Sequence, residues 1–257
     1  NLFQDDAVKW LSTLDKASVD LLITDPPYES LEKHRKIGTT TRLKVSKASS
    51  NQWFEIFPND RFEALLCEVY RVLKNHSHFY LFCDQETMFV IKPIAEKIGF
   101  KFWKPIVWDK VSIGMGYHYR ARHEYILFFE KGKRKLNDLS VPDILTHKRV
   151  FRGYPTEKPV SLLEVLVAQS SREGELVVDP FFGSGTTGAV AKKLSRNFIG
   201  IEQDAAYVEI ARQRIAAVAP IDAQDLLETP PRRALPKMPF GNLIERGLLQ
   251  PGDRLFA

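Results

Sequence analysis

Glu175-Leu176-Val177-Val178-Asp179-Pro180-Phe181-Phe182-Gly183-Ser184-Gly185-Thr186-Thr187-Gly188 is the stretch that decides the fold class. Glu175 leads into the apolar run Leu176-Val177-Val178, which ends in Asp179 and reads as a short buried strand. Pro180 stops the strand, and the small residues beyond Phe182 allow a tight backbone path. A helix over Ala189–Leu194 is predicted next, then a strand over Asn197–Glu202 and a helix over Ala205–Val218. Alternating strands and helices imply an α/β fold, with a mostly parallel sheet covered by helices on both faces.

The same alternation extends toward the N-terminus. Pro159–Ser170 reads as a helix with proline near its start, where proline is tolerated. Tyr125–Phe129, Phe102–Trp108 and His78–Cys83 read as strands, and Glu86–Ile98 as a helix ended by Gly99. Phe62–Leu73 is amphipathic, with Leu65, Leu66, Val69, Val72 and Leu73 on one side. Ala7–Leu14 reads as a helix capped by Asp5-Asp6, after a short strand or turn at Leu2-Phe3. Residues 29–52 and 131–157 lack apolar periodicity and are basic. Such long irregular segments inside a domain are usually functional or disordered. Residues 219–239 carry prolines and arginines and read as a linker; 240–257 resume an apolar pattern but are too short to fold alone.

A chain of 257 residues with 44% hydrophobic content suits one sizeable domain, or one domain with an appendage. No apolar run reaches the length of a membrane span, and no signal-peptide pattern opens the chain, which begins with Asn1. Cys67 and Cys83 lie in apolar contexts and read as core residues of a protein from a reducing compartment, which points to the cytoplasm. The six histidines show no metal-ligand spacing, so no metal site is expected. The net charge of +5 and a pI near 9.1 favour a polyanionic partner. Basic residues gather at Lys33, Arg35, Lys36, Arg42, Lys44 and Lys47, and again from Arg120 to Lys135 and at Lys148, Arg149 and Arg152. Ordinary solvated surface would carry the same charges.

Two stretches carry chemistry. The first is Asp25-Pro26-Pro27-Tyr28, which follows the buried strand Val19–Thr24. Two prolines lack N–H donors and hold φ near −65°, so the turn is stiff. It presents a carboxylate, free carbonyls and an aromatic face at the carboxyl end of a strand, where open α/β sheets bind ligands. A carboxylate and a carbonyl can each accept one hydrogen of an exocyclic amino group, and Tyr28 can stack on a flat heterocycle. Alone, the tetrapeptide reads equally as a strand-ending turn with a solvated Asp and a packing Tyr.

The second stretch is the loop from Gly183 to Gly188, whose glycine spacing matches the dinucleotide fingerprint, with Glu202 where a ribose-binding acid belongs. Small residues let backbone approach a ligand, and the following helix start offers free N–H groups. A P-loop is disfavoured, because Ala189 follows Gly188 where Gly-Lys-Ser/Thr would be needed. A nicotinamide-dependent oxidoreductase fits this loop but leaves Asp25–Tyr28 and the basic segments unexplained.

Together the two stretches resemble the amino-group DNA methyltransferases that use S-adenosylmethionine. Asp25-Pro26-Pro27-Tyr28 looks like their catalytic motif, and Asp179 to Thr186 like their cofactor loop. The catalytic motif comes first, as in the β-class. Thr156-Glu157-Lys158-Pro159 resembles a further cofactor motif of that class, and Asp6 its amino-terminal cofactor contact, with Asp5 in place of the usual Gly. Gly114-Met115-Gly116-Tyr117, Arg120 and His123-Glu124-Tyr125 look like the segment after the sixth strand. The resemblance covers about residues 1–218, and Met238 to Gly252 is similar to the start of an accessory module of some adenine methylases.

The resemblance implies a Rossmann-like, seven-stranded, mostly parallel twisted sheet. It implies methyl transfer from S-adenosylmethionine to the N6 amino group of adenine in DNA, with the base flipped from the duplex. Asp25, Pro26, Pro27 and Tyr28 would be catalytic. Asp6, Thr156, Lys158, Asp179, Phe181, Gly183, Ser184, Gly185, Thr186 and Glu202 would hold the cofactor. Segments 29–52 and 112–153 would face DNA, through Lys33, Arg35, Arg42, Lys44, Lys47, Tyr117, Arg120 and Arg122. N4-cytosine methylation is the rival; an initial Asp in the motif leans to adenine and an initial Ser to cytosine. C5-cytosine chemistry needs a cysteine after proline, whereas Cys67 follows Leu66 and Cys83 follows Phe82. A catalytically silent DNA-binding module would bind the cofactor without transfer. A bacterial or phage source is implied, and a homodimer and a cognate restriction enzyme stay open.

Overall fold

The computed structural model describes residues 1–29, 55–114, 118–150 and 156–220. In chain order these form β1 (Leu2–Gln4), α1 (Ala7–Ser12), β2 (Val19–Thr24), α2 (Phe62–Val72), β3 (Leu73–Cys83), α3 (Gln85–Ile98), β4 (Lys101–Asp109), β5 (His123–Lys131), β6 (Ile144–Thr146), α4 (Val160–Ser170), β7 (Leu176–Asp179), α5 (Thr186–Lys193), β8 (Asn197–Glu202) and α6 (Ala205–Ala216). Three helices start at aspartates whose side chains accept from orphan backbone N–H groups. Asp6 accepts from Val8 and Lys9 at 3.0 Å each, Asp84 from Thr87 at 2.8 Å, and Asp204 from Ala206 at 2.8 Å.

The strands form one sheet in the order β1-β8-β7-β2-β3-β5-β4-β6. Only β5 runs against the others, pairing antiparallel with β3 and β4. All six residues of β2 are buried, as expected of a central strand covered on both faces. Alternate side chains serve opposite layers. Leu22, Phe79, Leu81 and Val178 pack with Leu11 of α1, Leu65, Leu66 and Val69 of α2, and Ile91 and Ala95 of α3. Leu21, Ile23, Tyr80, Phe82 and Val177 pack with Leu162, Leu163 and Leu166 of α4 and Val190 of α5. Asp20, polar inside this core, is satisfied by Lys74 Nζ at 2.7 Å and by the Leu176 backbone N–H at 3.0 Å.

Two expectations are corrected. The sheet has eight strands where seven were implied. The extra one is β6, which pairs parallel with β4 through Val107, Trp108 and Asp109, inside a segment read as irregular. Three residues are too few to show a periodicity; the strand is held by its neighbour, and Trp108 Nε1 donates to the His147 carbonyl just beyond it at 2.7 Å. Cys67 was read as a core residue and is exposed. Leu65, Leu66, Val69 and Val72 face inward on α2, and helical rotation turns position 67 away from them. Cys83 is buried, and burial holds its thiol well above its ordinary pKa.

The chain goes from β2 through α2 to β3 on one side, and from β7 through α5 to β8 on the other. Adjacent parallel strands whose connections diverge leave a crevice at their carboxyl ends. Asp25 follows β2 and Asp179 ends β7, so both lie at that crevice. Among the described residues, no helix is long and apolar enough to cross a membrane. Lys33, Arg35, Arg42, Lys44, Lys47, Tyr117 and the segments read as linker and accessory fragment from residue 221 onward lie outside the described residues.

Candidate active site

The turn after β2 is pinned from the segment that enters α2. The Phe57 N–H donates to the Pro27 carbonyl at 2.7 Å, and Tyr28 bridges to Phe57 in parallel. Glu29 accepts from the Asn59 backbone at 2.8 Å and from its side chain at 3.0 Å. The Pro26 carbonyl has no hydrogen bond to a described residue. Burial raises the Tyr28 phenol well above its ordinary pKa, so Tyr28 stays neutral.

Asp25 Oδ2 accepts from Lys158 Nζ, which also lies 4.0 Å from Glu124 Oε2. Glu124 Oε1 accepts in turn from Lys110 Nζ. Burial raises Asp25 above the usual carboxylate range, with Lys158 the strongest opposing influence and Glu124 adding to the rise. Burial also acts against the Lys158 charge, but Asp25 and Glu124 outweigh it and hold the ammonium protonated. Glu124 is half-buried, which opposes its ionisation, but Lys158 and Lys110 bring it below its ordinary range.

Across the crevice, the loop after β7 is drawn together by two carboxylates. Asp179 Oδ1 accepts from the Phe181 N–H at 3.1 Å, and Oδ2 from Thr187 Oγ1 at 2.7 Å. Burial pushes Asp179 up to about 8, with these hydrogen bonds opposing and the Asp25 and Glu202 charges adding to the rise. Glu202 Oε2 accepts from the Gly183 N–H at 2.8 Å, while Oε1 accepts from the Gln203 and Asp204 N–H groups at 2.9 and 3.1 Å. Gly185 has φ of 79°, and a Cβ there would lie 2.7 Å from the Ala211 Cβ of α6. This glycine serves backbone conformation and helix packing together.

A cleft of about 650 Å³ opens over both loops. Of the residues singled out in the sequence, it gathers Asp6, Asp25, Pro26, Pro27, Tyr28, Thr156, Lys158, Phe181, Gly183 and Glu202. Beneath it a recess of about 60 Å³ is lined by Asp25, Thr24, Asp179, Ser184, Thr186 and Thr187, among others. Thr24 Oγ1 is buried there without a hydrogen-bond partner among the described residues. Gly185 lines neither space. Phe181 packs edge-on against Phe57 with centroids 5.1 Å apart, so the two loops share an aromatic contact. Asp6 spends one oxygen capping α1 and the other on Arg61 at 2.8 Å.

Of the expected DNA-facing residues within the described part, Arg120 is exposed. Arg122 forks onto Asp109, with Nε to Oδ1 at 2.6 Å and Nη2 to Oδ2 at 2.8 Å. Sequence reasoning missed the roles of Lys110, Glu124, Arg61 and Arg214. Arg214 of α6 donates to Glu157 Oε1 at 2.6 Å and to Ser184 Oγ at 3.0 Å, tying the glycine loop to the segment before α4. No local spacing signals these partners, which are distant in the chain. Among the described residues, no cluster of His, Cys, Asp or Glu could hold a metal ion.

A doubly wound sheet with this pair of loops at its switch point defines a cofactor-binding α/β enzyme site. Residues 19–213 match the family model for N6 and N4 methyltransferases, described as DNA methylase, and the chain belongs to that family. It is 30% identical to the type II methyltransferase M.HpaI of Haemophilus parainfluenzae, over 83% of this chain and 73% of that one. Among solved structures, the complex of M1.HpyAVI with S-adenosylmethionine aligns with a TM-score of 0.61 at 25% identity, over 83% of this chain and 98% of that one. The cytosine-N4-specific PvuII DNA methyltransferase shares the fold, with a TM-score of 0.66 at 18% identity over 83% of this chain and 85% of that one.

The donor set fits the cofactor. The recess combines the Asp179 carboxyl, hydroxyls from Ser184, Thr186 and Thr187, and the unpaired Thr24 Oγ1, which together suit an ammonium and carboxylate pair. The Glu202 carboxylate lies beside the cleft, where hydroxyl groups could donate to it.

Proposed function

We propose that this protein transfers a methyl group from S-adenosylmethionine to the N6 amino group of adenine in DNA. The observation that carries the reading is that the Asp25–Tyr28 turn and Pro180, Phe181 and Gly183 of the loop after Asp179 line one cleft. The Asp at the head of the motif favours adenine over N4-cytosine.

In this mechanism Asp25 Oδ1 and the Pro26 carbonyl each accept one amino hydrogen, which orients the nitrogen lone pair. Tyr28, neutral and held by Phe57, stacks on the base. Bound cofactor supplies an electrophilic methyl group. On transfer from the sulfonium to the nitrogen, Asp25 would take the proton that the nitrogen releases. Alignment of the reacting atoms supplies much of the acceleration. Asp179 and the recess hydroxyls hold the methionine end, Glu202 the ribose, and Asp6, Thr156 and Phe181 complete the walls.

The base must leave the duplex to reach the turn. Arg120, the basic segment 29–52 and the parts of 112–153 outside β5 would contact phosphates and give salt-sensitive affinity without sequence information. The type II relative supports a restriction-modification setting in a bacterial cytoplasm.

The test is incubation with unmethylated duplex DNA and methyl-labelled cofactor, then nucleoside chromatography, with Asp25→Ala in parallel. Label in N6-methyladenosine that disappears in the variant supports the reading. Label in N4-methylcytosine keeps the mechanism and overturns the base. Cofactor binding without label points to a silent binding module.

A further inference from the structure

Lys158 is expected from the sequence to hold the cofactor, but its ammonium is bound to the catalytic-turn carboxylate. Lys158 Nζ donates to Asp25 Oδ2 and lies 5.0 Å from the centre of the Phe82 ring, with only 12% of its side chain exposed. On its other side stands Glu124 Oε2 at 4.0 Å, and Glu124 is itself paired with Lys110. The result is a row of alternating charges: Asp25, Lys158, Glu124, Lys110. It is assembled from the end of β2, the segment before α4, the start of β5 and the residue following β4.

We propose that Lys158 and Glu124 are positioning residues for methyl transfer: Lys158 holds Asp25 as an ionised acceptor with Oδ1 left for the target amino group, and Glu124, anchored by Lys110, holds Lys158. The inference rests on Asp25 being the acceptor. An amino group donates both its hydrogens; with Lys158 donating to Oδ2, a proton on Asp25 would sit on Oδ1 and meet a donor with a donor. Burial pushes Asp25 toward that protonated form.

The groups whose charges act on Asp25 come from several elements. Lys158 and Lys110 favour its ionised form, and Glu124 disfavours it. Asp179, Tyr28 and Cys83 also feel its charge. Lys158 is the strongest of the favourable influences. The row therefore makes two opposite predictions. Removing the Lys158 charge makes Asp25 harder to ionise, and removing the Glu124 charge makes it easier.

The experiment compares wild type, Lys158→Met, Lys158→Arg and Glu124→Gln. Three quantities are read: single-turnover methyl transfer to duplex DNA against pH, the cofactor Kd by equilibrium titration, and the Asp25 carboxyl titration by ¹³C NMR, assigned with Asp25→Asn. Lys158→Met is expected to slow transfer at neutral pH about tenfold or more, and to move the acidic limb and the Asp25 titration up by about one pH unit. Lys158→Arg restores most of that shift, and Glu124→Gln moves both curves down. Because Lys158 and Asp25 also line the recess beside Asp179, cofactor Kd is read in parallel and transfer is compared at saturating cofactor.

A Lys158→Met protein with weakened cofactor binding and an unmoved Asp25 titration overturns the proposal and returns Lys158 to the cofactor. Shifts of the same sign in Lys158→Met and Glu124→Gln overturn it as well. Should Lys158→Met fail to fold, the downward shift in Glu124→Gln still decides it. A wild-type protein that transfers no methyl, yet shows the NMR shifts, removes the functional reading while leaving the electrostatic coupling standing.

Discussion

Leu22 of β2 lies in register beside Val178 of β7, on neighbouring parallel strands. This pairing brings Asp25 and Asp179 to one crevice although they lie 154 positions apart, from position 25 to position 179. The two loops thus meet at one crevice because their strands are neighbours. Tests of the site should therefore separate the two walls.

Asp25→Ala should lower methyl transfer by about a hundredfold or more, since it removes an acceptor for the reacting amino group. Cofactor Kd should change less than the rate, because the Asp179 and Glu202 hydrogen bonds that hold the glycine loop do not involve Asp25. Paired rate and binding titrations check this, and a parallel loss of both would contradict the division.

Asp179 carries a pH signature. Its folded-state pKa of about 8 is raised from an ordinary 3.8. Between those values the folded chain holds a proton that the unfolded chain has released, so this group's contribution to stability falls as pH rises through the window. Cofactor binding opposes this, because an ammonium favours the ionised carboxyl. Cofactor Kd should therefore tighten as pH rises toward about 8, with proton release seen by calorimetry in buffers of different ionisation heat. Asp179→Asn should raise the melting temperature of the cofactor-free protein near pH 8 by about 2 °C or more, while weakening cofactor binding.

Gly185→Ala should destabilise the protein on two counts. Its φ of 79° strains an L residue, and the new methyl meets Ala211. A cost of about 2–4 kcal/mol is expected from thermal or denaturant unfolding. Adding Ala211→Gly should recover part of it, by relieving the contact while leaving the backbone strain. Full recovery would show that φ at this position costs nothing.

Arg214→Ala should loosen the cofactor loop from a distance. The residue joins Glu157 to Ser184, and removing it leaves the Glu157 carboxylate unpaired. Cofactor Kd should rise about three- to tenfold, with a smaller effect on the single-turnover rate at saturating cofactor. Unchanged binding would show that Ser184 and Thr156 are placed without this tie.

Local chemistry was legible in the chain. The run Val19–Thr24 stopped by Pro26-Pro27, and the run Leu176–Asp179 opening into small residues, each announce a strand and a ligand-bearing turn. Prolines fix φ, glycines free it, and apolar spacing reports the face that a strand or helix buries. The sequence by itself therefore determined most of the element types, the α/β class and ten of the residues that line the cleft. Only the tertiary structure decided which strands are neighbours, that β6 forms against β4, that Cys67 turns outward, and that Lys158 pairs with Asp25 across 133 positions. Periodicity records which side of an element is buried, but not what buries it. Such partners are set by sheet order and by the long connections that close it.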